Sequence, residues 1–109
     1  MRCMVCISVL YPNTPGKKFD HGYYAKTHMP LVMERLKSLG MLRYEIDRGL
    51  AGGAPESAPP FVCVGRLYFN TLAEFQQALG THGPEIMKDI PNYTDIEFQM
   101  QISECEERG

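Results

Sequence analysis

A chain of 109 residues with a formal charge of −2 and a pI near 5.9 has the size of one ordinary domain, and no shift in composition divides it. Its eleven Lys and Arg residues are scattered, which argues against a phosphate-backbone binder, so nucleic acid is not an expected partner. The longest apolar runs, such as Phe61 to Val64, are too short to cross a bilayer, and the first residues lack a basic and then apolar leader, so no membrane contact and a cytoplasmic location are expected.

In chain order, residues 2–10 are β-branched and apolar at alternating positions on both faces, as in a strand covered on two sides. Tyr11 to Lys18 holds Pro12, Pro15 and Gly16 and reads as a loop. Asp20 has the chemistry of a helix N-cap, and Phe19 with Tyr24 has the spacing of a hydrophobic staple. A helix is therefore predicted from His21 to Leu39, closed by Gly40. At about 100° per residue, Tyr24, His28, Leu31, Val32, Arg35 and Leu39 share one face of it. Pro30 leaves the Lys26 carbonyl without its ladder donor, which predicts a kink and a polar spot beside His28.

Residues 41–48 alternate Leu42, Tyr44 and Ile46 with Arg43, Glu45 and Asp47, the pattern of a half-exposed strand ending near Leu50. Gly49 to Pro60, rich in glycine and proline, reads as a mobile hairpin connection with the freedom to act as a flap. Phe61 to Phe69 is apolar on both faces apart from Arg66, which marks an interior strand. Thr71 and Glu74 fit a capping box, and Leu72, Phe75, Ala78 and Leu79 make the stripe of a short second helix stopped by Gly80. Thr81 to Asn92 is then a return loop, and Thr94 to Ser103 alternates Ile96, Phe98, Met100 and Ile102 with polar residues as a fourth strand before a polar tail.

Strand, helix, strand, strand, helix, strand is the order of an α+β, ferredoxin-like βαββαβ domain: a four-stranded antiparallel sheet with both helices on one face. The whole of residues 1–109 is read as one such domain, with its core at about 2–103. Strands one and three are apolar on both faces, and each additional buried Val, Met or Phe is worth on the order of 1.5 to 3 kcal/mol. The face away from the helices is therefore expected to be covered by a second copy, giving a homodimer through the sheet face.

Among residues able to carry chemistry, His28 stands out, because it places an imidazole between helix and sheet, where burial tunes its proton affinity. The alternative reading is a core histidine held by two hydrogen bonds. Tyr24, one turn earlier, and the flanking Tyr23 and Thr27 offer hydroxyls to orient a ligand or the ring, or else pack as ordinary neighbours. Arg66 offers a cation to an anionic ligand, or else reaches an interface salt bridge. His21 and His82 occupy positions where exposed histidine is common, and no pair of histidines has helical metal-site spacing. Cys3, Cys6, Cys63 and Cys105 read as buried thiols. Cys3 and Cys6 match C-x-x-C, but on a strand they point to opposite faces, so no metal or redox role is expected. No glycine-rich phosphate loop and no nucleophile-elbow motif is present, and no cofactor is expected.

Phe19-Asp20, Tyr23-Tyr24, Thr27-His28 and Pro30-Leu31, with Asn92-Tyr93-Thr94-Asp95 further on, resemble the EthD family, named for ethyl tert-butyl ether degradation, within the dimeric α+β barrel group. The resemblance runs from about Met4 to Ser103. It implies a homodimer whose two sheets form a barrel, a pocket between each sheet and its helices, His28 as the characteristic polar residue, and a place in catabolism. Fold relatives range from cofactor-free monooxygenases to isomerases and dehydratases, so the resemblance leaves the reaction open. Three readings are compatible with it: a cofactor-independent enzyme acting on a small apolar or aromatic compound, a non-catalytic binder or accessory protein, and a structural dimer whose pocket its own side chains fill.

Overall fold

The centre of the sheet is the hydrogen-bonded pair β1 (Arg2–Pro12) and β3 (Phe61–Phe69), flanked by β2 (Arg43–Arg48) and β4 (Gln99–Glu107), in the antiparallel order β2-β3-β1-β4. The computed structural model describes residues 2–108, and the predicted thiol burial at Cys3 lies outside the described side chains. Between β1 and β2 runs a continuous helical segment, made of α1 (His21–Tyr23), a π-helical turn (Tyr24–His28), α2 (Met29–Leu36) and a final 3-10 turn (Lys37–Leu39). Between β3 and β4 lies α3 (Leu72–Asp89) with a 3-10 turn (Ile90–Asn92). This is the expected ferredoxin-like α+β fold. No helix among the described residues is long and apolar enough to cross a membrane.

Parity along the strands separates two faces. Ile7, Tyr11, Cys63, Leu67 and Phe69 pack against the helices in the main core, whereas Met4, Cys6 and Tyr68, with Cys105 beside them, form a separate cluster on the other face. The expected local signals are present at three ends. Asp20 accepts the Tyr23 N–H at 3.0 Å, Gly40 closes the first helical segment at φ 115°, and Thr71 with Glu74 makes a reciprocal capping box.

Three expectations need correction. The first helical segment is not simply kinked at Pro30: the Met29 N–H reaches the Tyr24 carbonyl, widening the turn that contains His28. The extra residue rotates the rest of the segment, so the buried face is Tyr24, His28, Met29, Val32 and Leu36, and Arg35 turns outward to Glu85. Second, α3 does not stop at Gly80. The stripe of Phe75, Leu79, Gly83, Ile86 and Ile90 continues on one face, and this packing outweighs the roughly 1 kcal/mol that a helical glycine costs. Pro84 withholds a donor from the Gly80 carbonyl, but both residues are exposed, where water serves that carbonyl.

Third, the last strand is displaced toward the C-terminus: β4 pairs Gln99–Glu107 with Leu10–Arg2, so the expected polar tail is an acidic edge strand. Residues 94–98 do not join that ladder because they strap the loop before α1. Thr94 Oγ1 donates to the Lys18 carbonyl at 2.6 Å, the Lys18 N–H donates to Asp95 Oδ1 at 2.9 Å, and the Asp20 N–H donates to the Tyr93 carbonyl at 2.8 Å. Residues 49–60 make the expected hairpin connection between β2 and β3, with the Gly52 N–H on the Ser57 carbonyl at 2.9 Å and Asn13 donating to the Pro59 and Pro60 carbonyls. Of the cysteines, Cys6 and Cys63 are buried free thiols and Cys105 is a half-buried one.

Two glycines on this scaffold should respond oppositely to alanine. At Gly65 an added Cβ would collide with the Tyr24 Oη, so Gly65→Ala is expected to lower unfolding free energy by about 1 to 3 kcal/mol. At Gly80 nothing lies within 4 Å, and Gly80→Ala should raise it by about 0.5 to 1 kcal/mol. Chemical denaturation of the two variants checks both signs.

Candidate functional site

The widened turn and the end of α3 bring together a pair that residue spacing could not indicate. His28 is 4% exposed, and its Nδ1 lies 2.9 Å from Asp89 Oδ2. Asp89 Oδ1 in turn accepts from the Tyr23 hydroxyl at 2.7 Å and from Asn92 Nδ2 at 3.0 Å. The carboxylate is thus held on three sides while it orients the ring.

Electrostatics set the protonation of this pair. Burial lowers the proton affinity of His28, and the hydrogen bond and charge of Asp89 restore only part of it, leaving the imidazole below its ordinary value of 6.5. Burial also works against the Asp89 carboxylate, but the bonds from His28, Tyr23 and Asn92 outweigh it and keep Asp89 below the usual carboxylate value. At neutral pH the pair is therefore a neutral imidazole beside an ionised carboxylate. A carboxylate only accepts, so the ring proton sits on Nδ1 and the lone pair on Nε2. Nε2 has no protein partner among the described residues, and no fully buried side-chain nitrogen or oxygen there lacks one, so Nε2 keeps some accessible surface.

Aromatic rings flank this imidazole. The Tyr93 ring lies 4.6 Å from the imidazole, and the Tyr24 ring stacks on it at 5.7 Å. Tyr11 and Tyr93 share a hydroxyl contact of 2.6 Å. Burial pushes the Tyr24 and Tyr93 phenols far above their usual range and Tyr11 to about 12, so all three are uncharged. Beside them is a cavity of about 60 Å³, lined by His28 and Tyr24, by Val9, Tyr11 and Leu67 of the sheet, and by Leu79, Ile86 and Ile90 of α3 and its 3-10 turn. Outward it reaches Met87, Phe98 and Met100, and a shallower groove continues along Met87, Ile90, Phe98 and Glu97.

The residues singled out in the sequence are distributed differently. His28 and Tyr24 line the cavity. Tyr23 reaches Asp89 instead, and that bond is what raises its phenol above the ordinary value. Thr27 is exposed on the outside of the widened turn. Arg66 lies on the opposite face of the sheet, paired with Asp47 at 2.5 Å, and is not among the cavity residues. Asp89 is invisible to any reading that ends the helix at Gly80, and Asn92 stands out only through the family resemblance, with no role attached to it. The continuing stripe of Gly83, Ile86 and Ile90 is the signal able to place them. No group of three metal-ligating side chains is found among the described residues.

The sequence profile of the EthD domain matches residues 16–97, which span the helical segment, its strap and Asp89. An EthD-like protein from Ralstonia eutropha JMP134 is 41% identical, with 94% of this chain and 92% of that one covered and a TM-score of 0.88. An ethyl tert-butyl ether degradation family protein from Bacillus halodurans C-125 is 23% identical over 96% and 99% of the two chains, with a TM-score of 0.70. A candidate monooxygenase from Shewanella loihica PV-4 shares the fold at 12% identity, covering 99% of each chain with a TM-score of 0.62. No curated protein matches the chain significantly.

The lowered proton affinity of His28 has a consequence for stability. A base whose folded value lies below its unfolded value stabilises the fold above the unfolded value and loses that contribution as pH falls through the folded one. Unfolding free energy should therefore fall as pH drops below the ordinary histidine value of 6.5, and His28→Leu should flatten that slope. His21, also lowered, leaves a residual slope in the variant. Denaturant titrations across the pH range would contradict the assignment if both proteins had the same slope.

Proposed function

The chain belongs to the EthD domain family, and from that premise we propose that it is a cofactor-independent enzyme acting on a small apolar or aromatic compound, with His28 as its general base. The observation that carries this reading is the His28–Asp89 bond of 2.9 Å at the wall of an apolar cavity. Orientation by Asp89 leaves Nε2 as the acceptor of a proton from an acidic O–H or C–H of the substrate, and the imidazolium so formed meets the Asp89 charge at once. The conjugate acid can return the proton to a different atom, as an isomerisation or dehydration requires, or leave an electron-rich substrate for oxidation by O₂. Tyr24 shapes the wall beside the ring, while Tyr23 and Asn92 position Asp89.

A second reading, a non-catalytic binding or accessory protein, is favoured by the poverty of polar groups in the lining. Besides His28 it offers the phenols of Tyr11 and Tyr24 and, among the described residues, no cation to stabilise a developing negative charge.

For assembly, the proposal is a homodimer through the sheet face that bears Met4, Cys6 and Tyr68, because the helices pack on the other face and the cross-strand pair Leu10 and Val64 on this one stays partly exposed. Arg66 then belongs to an interface rather than to the His28 cavity. Free thiols at Cys6, Cys63 and Cys105 agree with a reducing, cytoplasmic setting, and the family's name with a catabolic role.

With a turned-over compound in hand, His28→Ala should keep the fold and the dimer and lose about 10²-fold or more in kcat. Asp89→Asn should lower kcat with little change in KM, since it disturbs the base rather than the apolar wall. Undiminished turnover by His28→Ala would remove the general base, binding without product from any compound would select the accessory reading, and a monomer in sedimentation velocity would end the assembly proposal.

A further inference from the structure

The chemistry of the ligand is written in what the cavity and its groove lack. Among the described residues, neither is lined by Lys or Arg. The accessible nitrogen at the inner end is an acceptor, an ionised carboxylate stands 2.9 Å behind the same ring, and Glu97 lies on the groove outside. A carboxylate or phosphate entering here would lose its hydration, find no compensating cation and meet negative charge at both ends. A ligand without a donor would leave Nε2 unpaired once water was displaced.

Size adds a second constraint. The cavity measures about 60 Å³, whereas an apolar cavity that accommodates benzene measures roughly 150 Å³. A ligand much larger than a few heavy atoms therefore extends outward. Met87, Ile90 and Phe98 belong to both the cavity and the groove, so they mark the passage between them. Met87 is 48% exposed and Met100 43% exposed, flexible side chains at the outer end where an apolar body can cover them.

We infer that the site takes an uncharged, slender apolar molecule with one hydrogen-bond donor at its end, the donor on His28 Nε2 and the body leaving between Met87, Ile90 and Phe98 along the groove. This rests on the reading of the His28 cavity as the binding site and narrows its occupant from apolar compounds in general to neutral, single-donor ones. Such a molecule complements the site at each point: one acceptor inside, thioethers and aliphatic carbons along the way, and no positive charge.

Three eight-carbon probes separate the alternatives: 1-octanol, 1-methoxyoctane and octanoate, measured by thermal shift and calorimetry on the wild-type protein and on His28→Leu. 1-Octanol should bind the wild type at least about tenfold more tightly than the ether or the anion, the size expected for one hydrogen bond to a desolvated acceptor. His28→Leu, checked for folding by its unliganded melting curve, should bind the alcohol and the ether alike. Octanoate or the ether binding as tightly as the alcohol, with the affinity still dependent on His28, would overturn the ligand class and leave the site reading standing. No binding of any probe, or binding indifferent to His28, would overturn both. The wild-type comparison alone decides the class if the variant does not fold.

Discussion

A buried imidazole needs a partner for its N–H, and the contact that supplies it here, His28 Nδ1 to Asp89 Oδ2, constrains much of the rest of the chain. The two residues are 61 positions apart. For Asp89 to reach the ring, α3 has to run through Gly80 and Pro84, and the start of the first helical segment has to be held against the end of α3. The strap from Tyr93 to Asp95 does the second job through the backbone of Lys18 and Asp20. The π-helical turn completes the arrangement by setting His28, Met29, Val32 and Leu36 inward together.

Around this contact the packing is aromatic rather than aliphatic. Tyr11, Phe19, Tyr24 and Tyr93 meet mostly edge to face or tilted, at centroid separations of 4.9 to 6.1 Å. Their hydroxyls are kept neutral by burial, so the cluster excludes water without bringing charge of its own. In such surroundings the field of the Asp89 carboxylate is weakly screened. The same burial that lowers the proton affinity of His28 thus increases what Asp89 contributes once the ring takes a proton. A group poised in this way, next to a cavity, is what the proposed proton transfer requires.

How much of this is legible in the sequence depends on whether the signal is local. Asp20, Thr71 with Glu74, and Gly40 act through their own neighbours, and each end forms as expected. The interior strand Phe61–Phe69 is legible from its apolar run, but because that run is apolar on both faces it carries no parity, and nothing in it says that Arg66 faces away from the helices while Leu67 faces them. Pro30 correctly points to an irregularity beside His28. The form it takes, a widened turn, moves Arg35 outward and leaves Thr27 on the surface, which a uniform helical wheel cannot anticipate. Asp89 is hidden for a different reason: glycine and proline are local signals against a helix, and here tertiary packing of Ile86 and Ile90 prevails over them.

The central claim is that Asp89 holds His28 as a neutral base with its lone pair on Nε2. Long-range ¹H–¹⁵N correlation spectra of the imidazole, recorded through a pH titration, test it most directly. A protonated Nδ1 and an unprotonated Nε2 are expected at neutral pH, with the ring titrating below its ordinary value of 6.5. A ring protonated on Nε2 with Nδ1 bare, or one already doubly protonated at neutral pH, would contradict it.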